Sequence, residues 1–503
     1  MTTKGSKGKK LMVLGTTSNA GKSVLVAALC RIYRNRGYKV APFKAQNMAL
    51  NSFITEDGLE MGRAQVMQAE AAGIAPEVDM NPILLKPTTD QKSQVIVGGK
   101  VYKNLSAKDY YREKEKLLPL AVEAFERLME KNDIVFLEGA GSPSEINLKD
   151  VDIVNMGFAK AIDSDAILVG DIDRGGVFAS LAGTMLLFDE EERERLKGVL
   201  INKFRGDVTI LEPGLETLEE IMERPVLGVV PYFDLDLDDE DSLSDTLKEK
   251  RQGLVDIAVI RLPHISNFTD LHVFSLYEGV HVRYVERARE LGTPDLLIIP
   301  GTKNTMDDLK WLRETGLDQK IMGLSRDHYV MGICGGYQML GQKLSDPHGV
   351  EAGGSMEGLG LLPMETVFAK EKTTTQTGGK LLLGEGLFRN MEGMAIKGYE
   401  IHMGSTHWLR EGGGEQALVE IGGHRDGGTS GKVYGSYLHG IFDGEGVSQQ
   451  ILANLMEEKG LDPSQVASFD LAAYKEEQYE KLAEIVAEAL DLEELDRILG
   501  LEE

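Results

Sequence analysis

Only two cysteines occur in 503 residues, Cys30 and Cys334, and they lie far apart. A disulfide framework is therefore excluded, and a reducing compartment, the cytoplasm, is the expected setting. Basic residues are also short, 55 against 81 acidic ones, for a formal charge of −26. That balance argues against a nucleic-acid binder or a membrane-surface protein, although anionic ligands need only local donors. No apolar run approaches membrane-spanning length, and the polar, basic start Met1–Lys10 is followed by no signal-peptide core. Those residues read as a loose tail. Internal repeats, low-complexity segments and Cys/His groups at zinc spacing are absent from the sequence. What is present is a globular composition, 42% apolar and 27% charged, long enough for more than one core.

The first half alternates strands and helices. Lys10 to Gly15 reads as a buried strand and Ser23 to Arg36 as a helix, with Gly15-Thr16-Thr17-Ser18-Asn19-Ala20-Gly21-Lys22-Ser23 between them. This is a phosphate-cradling loop. Gly15, Thr16, Asn19 and Gly21 shape the backbone, Lys22 reaches the outer phosphates, and the Ser23 hydroxyl suits Mg²⁺. Gly15 stands one residue earlier than the usual phosphate-loop spacing. The strand Lys39–Phe43 leads to Lys44, at a strand's C-terminal end, where ligands bind in open α/β sheets. Glu60, before an Ala- and Gln-rich helix, is either a second metal carboxylate or a plain helix N-terminal acid. Asp133–Leu137 delivers Glu138-Gly139-Ala140-Gly141-Ser142, a carboxylate placed to hold Mg²⁺ beside a triphosphate. Ala166–Val169 precedes Asp171-Ile172-Asp173-Arg174-Gly175-Gly176-Val177-Phe178, on the substrate or phosphate side. Gly198–Ile201 precedes Asn202, and Val226–Val230 closes the half. The acidic run Asp234–Asp241 and the polar stretch to Gly253 read as a linker.

The second half restarts the α/β pattern at Val255–Arg261. Its centre is Val330-Met331-Gly332-Ile333-Cys334-Gly335-Gly336-Tyr337-Gln338-Met339-Leu340, an apolar run ending at a cysteine before a helix-forming stretch. A lone cysteine is more commonly a buried structural residue. The paired glycines point instead to a strand-to-helix turn that presents a nucleophile, with the helix N-terminus favouring the thiolate. Leu296–Ile299 ends in Pro300-Gly301-Thr302, where Gly301 or Thr302 offers a backbone N–H. The Cys334 stretch resembles the nucleophile turn of class I glutamine amidotransferases, which implies that this N–H and that of Gly335 would form an oxyanion hole. A thiolate needs a base, and His348, His402, His407, His424 and His439 follow it. His439 ends a strand-like run, Val433-Tyr434-Gly435-Ser436-Tyr437-Leu438-His439-Gly440, and is the favoured partner. His402, in Tyr399-Glu400-Ile401-His402, is the runner-up and more a site-shaping residue. Beyond Gly446 the chain turns helical and charged, with no evident chemistry.

These motifs carry resemblances. The first loop and the Glu-Gly-Ala-Gly stretch resemble dethiobiotin synthetase-like ATPases, in which Lys44 would lie near the phosphates and Asn202 would read the base. Partition-type ATPases carry a further lysine where Thr17 stands. The Cys334 turn and the His439 run resemble class I glutamine amidotransferases. Many of those place Glu two residues after the histidine, where this chain has Ile441, so only a Cys–His pair is expected. Taken together and in order, Lys44–Met48, Glu138–Pro143, Asp171–Phe178, Tyr399–His402 and Tyr437–Gly440 resemble the cobyric acid synthase family over residues 10 to 445. That resemblance implies two doubly wound α/β domains, with a tail at 1–10, an ATP-dependent synthetase at 11–250, an amidotransferase at 251–446 and a helical extension at 447–503. It also implies ATP, Mg²⁺ and glutamine, and a corrinoid substrate amidated at its b, d, e and g carboxylates, adenosylcobyrinic acid a,c-diamide. Cobyrinic acid a,c-diamide synthases share both halves, but Lys44–Met48 and Asp171–Phe178 favour the former family. The alternative of a different class is an ATP-driven scaffold with an inactive glutaminase-like domain. An intact Cys334 with His439 argues against it.

Overall fold

The structure, a computed structural model, describes residues 8–89, 92–237, 253–409, 417–466 and 470–501. Most of the linker expected at 234–253, and residues 1–7 of the expected tail, lie outside these. Strand structure begins at Lys9, inside the stretch expected as tail.

The chain forms two compact units. The first comprises residues 1–49, 61–240 and 473–503. Its main sheet has six parallel strands in the order Val226–Pro231, Leu196–Phe204, Asp165–Asp171, Lys9–Gly15, Ile134–Glu138 and Val40–Phe43. Ile134–Glu138 is buried throughout, and Lys9–Gly15 from Leu11 onward, as strands covered on both faces must be. All their C-terminal ends lie on one edge, which is why the loops carrying Lys22, Lys44, Glu138 and Asn202 converge. A smaller sheet joins Gln46–Met48, Ile83–Thr89, Lys92–Val97 and Lys100–Ser106.

The final helices are part of this unit. Tyr479, Leu482, Val486, Leu495 and Leu499 share one apolar core with Leu11, Val13, Leu25 and Phe136. Arg31, only 2% exposed, pairs with Glu476 and Glu480 at 2.6 Å each. The stretch expected as a separate extension from 447 is thus divided. Its helix Val447–Glu458 packs into the second unit's core, and residues from 473 build the first.

The second unit comprises residues 50–60 and 241–472. Its main sheet runs Val280–Val285, Val255–Ile260, Leu296–Ile299, Tyr329–Ile333 and Val433–Ser436, all parallel, with Gly428–Ser430 antiparallel at the edge. A second sheet is dominated by the long antiparallel pair Met364–Leu381 and Ala395–Trp408. Residues 50–60 lie within the stretch expected as wholly synthetase, yet they pack with this unit.

Candidate functional site

In the first unit, the loop after Lys9–Gly15 opens the helix Lys22–Asn35. Asn19 and Gly21 take left-handed backbone, φ 60° and 92°, the kind of turn from which anion-binding nests are made. The helix starts with no side-chain cap and no acid in its first turn, which leaves its N-terminal N–H groups to an anion. A β-carbon at Gly15 would lie 3.0 Å from the Lys22 side chain, so glycine there leaves room for the lysine. Lys22 Nζ donates to the carbonyls of Thr17 (3.0 Å) and Gly141 (3.1 Å). Thr16 gives its N–H to Val169 O at 2.9 Å, so that amide ties two strand ends together and is not offered to a phosphate.

Glu138 is the hub. It is 2% exposed; Ser23 Oγ donates to its Oε1 at 2.9 Å and Lys44 Nζ at 2.7 Å. Its Oε2 accepts from Gln68 (2.7 Å) and Gln65 (3.3 Å). The two glutamines were not singled out by sequence. Their three-residue spacing, which puts both amides on one helix face, was the available signal. Asn202 donates through Nδ2 to Ala20 O at 2.9 Å, while its buried Oδ1 has no partner among the described residues. The buried Thr17 hydroxyl is likewise unmatched. An unmatched acceptor, an uncapped helix and a lysine on the loop fit a nucleotide triphosphate. No group of three or more His, Cys, Asp or Glu suited to a metal occurs among the described residues. The Ser23 hydroxyl with one carboxylate is the donor set that magnesium takes together with phosphate oxygens and water. Asp171 and Asp173 are ion-paired, with Lys203 (3.0 Å) and Arg205 (3.1 Å).

Glu60 is not a helix acid. The helix begins at Arg63, and Glu60 is buried in an ion pair with Lys372 within the second unit.

In the second unit, Cys334 sits between Tyr329–Ile333 and Gly335–Leu340 with φ 51° and ψ −107°, strained for a residue with a side chain. The reason is the crowding of the turn. A β-carbon on Gly336 would stand 2.0 Å from Ile299 O, and one on Gly335 would stand 2.6 Å from Thr302 Cγ2. The same construction places the Thr302 nitrogen 3.1 Å away from Gly335's β-position, and His439 Cε1 3.1 Å from that of Gly301. Gly301 therefore packs on the His439 ring, and its carbonyl accepts from Ser266 N at 2.9 Å.

His439 is 1% exposed, and its Nδ1 lies 2.6 Å from Asp270 Oδ2. A carboxylate only accepts, so Nδ1 carries a proton towards it, while Nε2 faces away with no hydrogen-bond partner among the described residues. Asp270 Oδ1 takes the Gly440 N–H at 3.0 Å. Burial disfavours charge on the ring, but the Asp270 carboxylate outweighs it, and with the Cys334 sulfur it pushes the imidazole up to about 10. Asp270 supplies what Ile441, buried in the core, does not. It lies 169 residues before His439, in the short turn Phe268–Leu271, and no local motif marks it. The Cys334 thiol donates to Ile401 O at 3.4 Å. His402 is turned to other partners: its Nδ1 meets Gly404 O at 2.8 Å and its ring stacks on Tyr437 at 3.8 Å. His348 and His424 are exposed.

Residues 11–244 match the CobQ/CobB/MinD/ParA nucleotide binding domain, and residues 256–447 match the CobB/CobQ-like glutamine amidotransferase domain. The cobyric acid synthase of Ruminiclostridium cellulolyticum is 55% identical, covering 98% of this chain and 97% of its own. That of Lachnoclostridium phytofermentans is 52% identical over 98% of this chain and 99% of its own. That of Caldanaerobacter subterraneus subsp. tengcongensis is 51% identical over 97% and 98%. With a phosphate loop in one unit, a cysteine–histidine–aspartate arrangement in the other, and relatives matched from end to end, the chain belongs to the cobyric acid synthase family.

Proposed function

We propose that this chain is a glutamine-hydrolysing, ATP-dependent ligase that amidates the b, d, e and g carboxylates of adenosylcobyrinic acid a,c-diamide, giving adenosylcobyric acid in cobalamin biosynthesis. The observation that carries the reading is the pairing of the Ser23–Glu138–Lys44 cluster with the Cys334, His439 and Asp270 arrangement in one chain.

In the amidotransferase unit, Cys334 Sγ attacks the side-chain amide carbon of glutamine. The N–H of Gly335 and one from Gly301 or Thr302 stabilise the oxygen as it gains charge. The proton shared by Cys334 Sγ and His439 Nε2 passes from Nε2 to the leaving nitrogen, which departs as ammonia. Asp270 keeps the ring in the tautomer that makes this transfer possible. Water then attacks the thioester carbon, glutamate leaves, and the thiol is restored.

In the synthetase unit, a substrate carboxylate oxygen attacks the γ-phosphorus of ATP and ADP departs, leaving an acyl phosphate. The nitrogen of ammonia attacks the acyl carbon, phosphate leaves, and an amide remains. Lys22 and Lys44 offset phosphate charge, Asn202 reads the base, and the loop Gly15–Gly21 cradles the phosphates. Ser23 and Glu138 would hold Mg²⁺, which when bound would supply positive charge against the phosphates. Two unpaired cysteines suit a cytoplasmic setting, and no described helix is long and apolar enough to cross a membrane.

The test is mass spectrometry of adenosylcobyrinic acid a,c-diamide incubated with protein, ATP, Mg²⁺ and glutamine. Stepwise gain of amides, lost in Cys334→Ser and restored by added ammonia, supports the reading. ATP-dependent amidation of other carboxylates with none on the corrinoid would overturn the substrate.

A further inference from the structure

The motif Tyr399-Glu400-Ile401-His402 was singled out by sequence, yet the chemistry above uses only a carbonyl from it. In the structure its first residue lies directly against the base. Tyr399 and His439 exchange both backbone hydrogen bonds, N to O at 3.1 Å and 2.9 Å. Their rings stack with centroids 5.1 Å apart and planes 17° from parallel. An aromatic face at this distance favours a cationic imidazole and blocks its rotation.

Tyr399 is in turn held by residues 50–60. Its hydroxyl donates to Ser52 O at 3.1 Å, and Phe53 meets its ring edge-on at 5.6 Å. Ile54 packs with Tyr399 and Ile401 in one small apolar cluster. The Ile54 carbonyl accepts from Gln376 at 2.7 Å, Gly58 O accepts from Thr374 at 3.0 Å, and Glu60 pairs with Lys372. The same segment also reaches the other side of the base. Ser52 N donates to Asn267 Oδ1 at 2.9 Å, and Asn267, left-handed at φ 52°, starts the short turn that carries Asp270.

We infer that Tyr399 is a positioning residue for His439, and that residues 50–60 form a brace which sets Tyr399 and the Asp270 turn together. The brace is an excursion of the chain from the first unit, leaving it after Ala49 and rejoining it at Met61, shortly after Lys44 in sequence. Glutamine hydrolysis therefore depends on eleven residues that the synthetase sequence contributes, residues 50–60. The titratable groups facing the imidazole are the Asp270 carboxylate, the Cys334 thiol and the Tyr399 phenol.

This inference rests on the glutaminase reading above, and the test separates the two. Glutamate release by the full chain is followed from pH 6 to 10.5 in Tyr399→Leu, Tyr399→Phe and Asn267→Gly, with melting curves to report folding. Tyr399→Leu is expected to lower kcat about 10- to 100-fold with KM within about twofold. It also moves the alkaline limb of the profile down by roughly half a unit. Tyr399→Phe keeps the ring and recovers most of the rate. Asn267→Gly keeps the left-handed turn, deletes the amide, and lowers kcat about 3- to 10-fold. A folded Tyr399→Leu with parental kcat and an unmoved alkaline limb overturns the positioning role. If Tyr399→Leu fails to fold, parental kcat and profile in Asn267→Gly overturn the brace. Parental glutamate release by Cys334→Ser would instead sink the glutaminase reading itself.

Discussion

Asp270 and Glu138 are both buried carboxylates with named partners, and each makes a separable prediction. Asp270→Asn leaves the shape of the site but removes the charge that holds the His439 proton. Glutamine hydrolysis is expected to fall about 10²- to 10⁴-fold, as when the orienting carboxylate of a triad is neutralised. The stability consequence has a definite sign. The folded pKa of His439, about 10, lies above the unfolded value of about 6.5. Its contribution is thus complete below pH 6.5 and is lost as pH rises through 10. The melting-temperature gap between parent and Asp270→Asn should therefore be widest near pH 6 and narrow towards pH 10.5. Glu138→Gln takes from Lys44 a carboxylate partner and breaks a buried pair, which should lower the first unit's stability. ATP-dependent amidation should be lost while glutamate release persists. Ser23, Lys44 and Glu138 were legible because each ends a strand or starts a helix in a recognisable run. Asp270 was not, because its partner is reached only through folding.

At the scale of elements, the turn around Cys334 is a packing problem that two glycines solve. Gly336→Ala would drive a β-carbon to 2.0 Å from Ile299 O, backbone of an adjacent buried strand that has no room to retreat. A loss of about 1–3 kcal/mol or more, with loss of glutaminase activity, is expected from urea melts and glutamate assays. Gly323, inside the helix Leu317–Leu324, meets nothing within 4 Å, and Gly323→Ala should stabilise by about 0.5–1 kcal/mol. Most of the parallel strands were readable from short apolar runs that the structure buries; the half-buried edge strand Val280–Val285 was not. The long pair Met364–Leu381 and Ala395–Trp408 was not, since its threonines, lysines and glycines show no sustained alternation. Cross-strand pairing stabilises it, and pairing is not written in either strand alone.

For the whole molecule, the chain's end is part of its first core. Removing residues 473–503 would strip Tyr479, Leu482, Val486, Leu495 and Leu499 from the cluster that contains Leu11 and Phe136. At about 1.5–3 kcal/mol for each buried side chain, the loss matches a typical domain's entire stability of about 5–15 kcal/mol. Calorimetry should show the first unit's transition abolished or sharply lowered. By itself the sequence determined the two α/β units, the phosphate loop, the strand-to-helix turn at Cys334 and the run that ends at His439, because each is a local run whose spacing dictates its conformation. Only the tertiary structure decided which carboxylate serves His439, why Tyr399 stands beside it, and which unit owns residues 50–60 and 473–503. Those are contacts between residues far apart in the chain, chosen by burial and hydrogen-bond matching once the sheets have formed, and no local pattern encodes them.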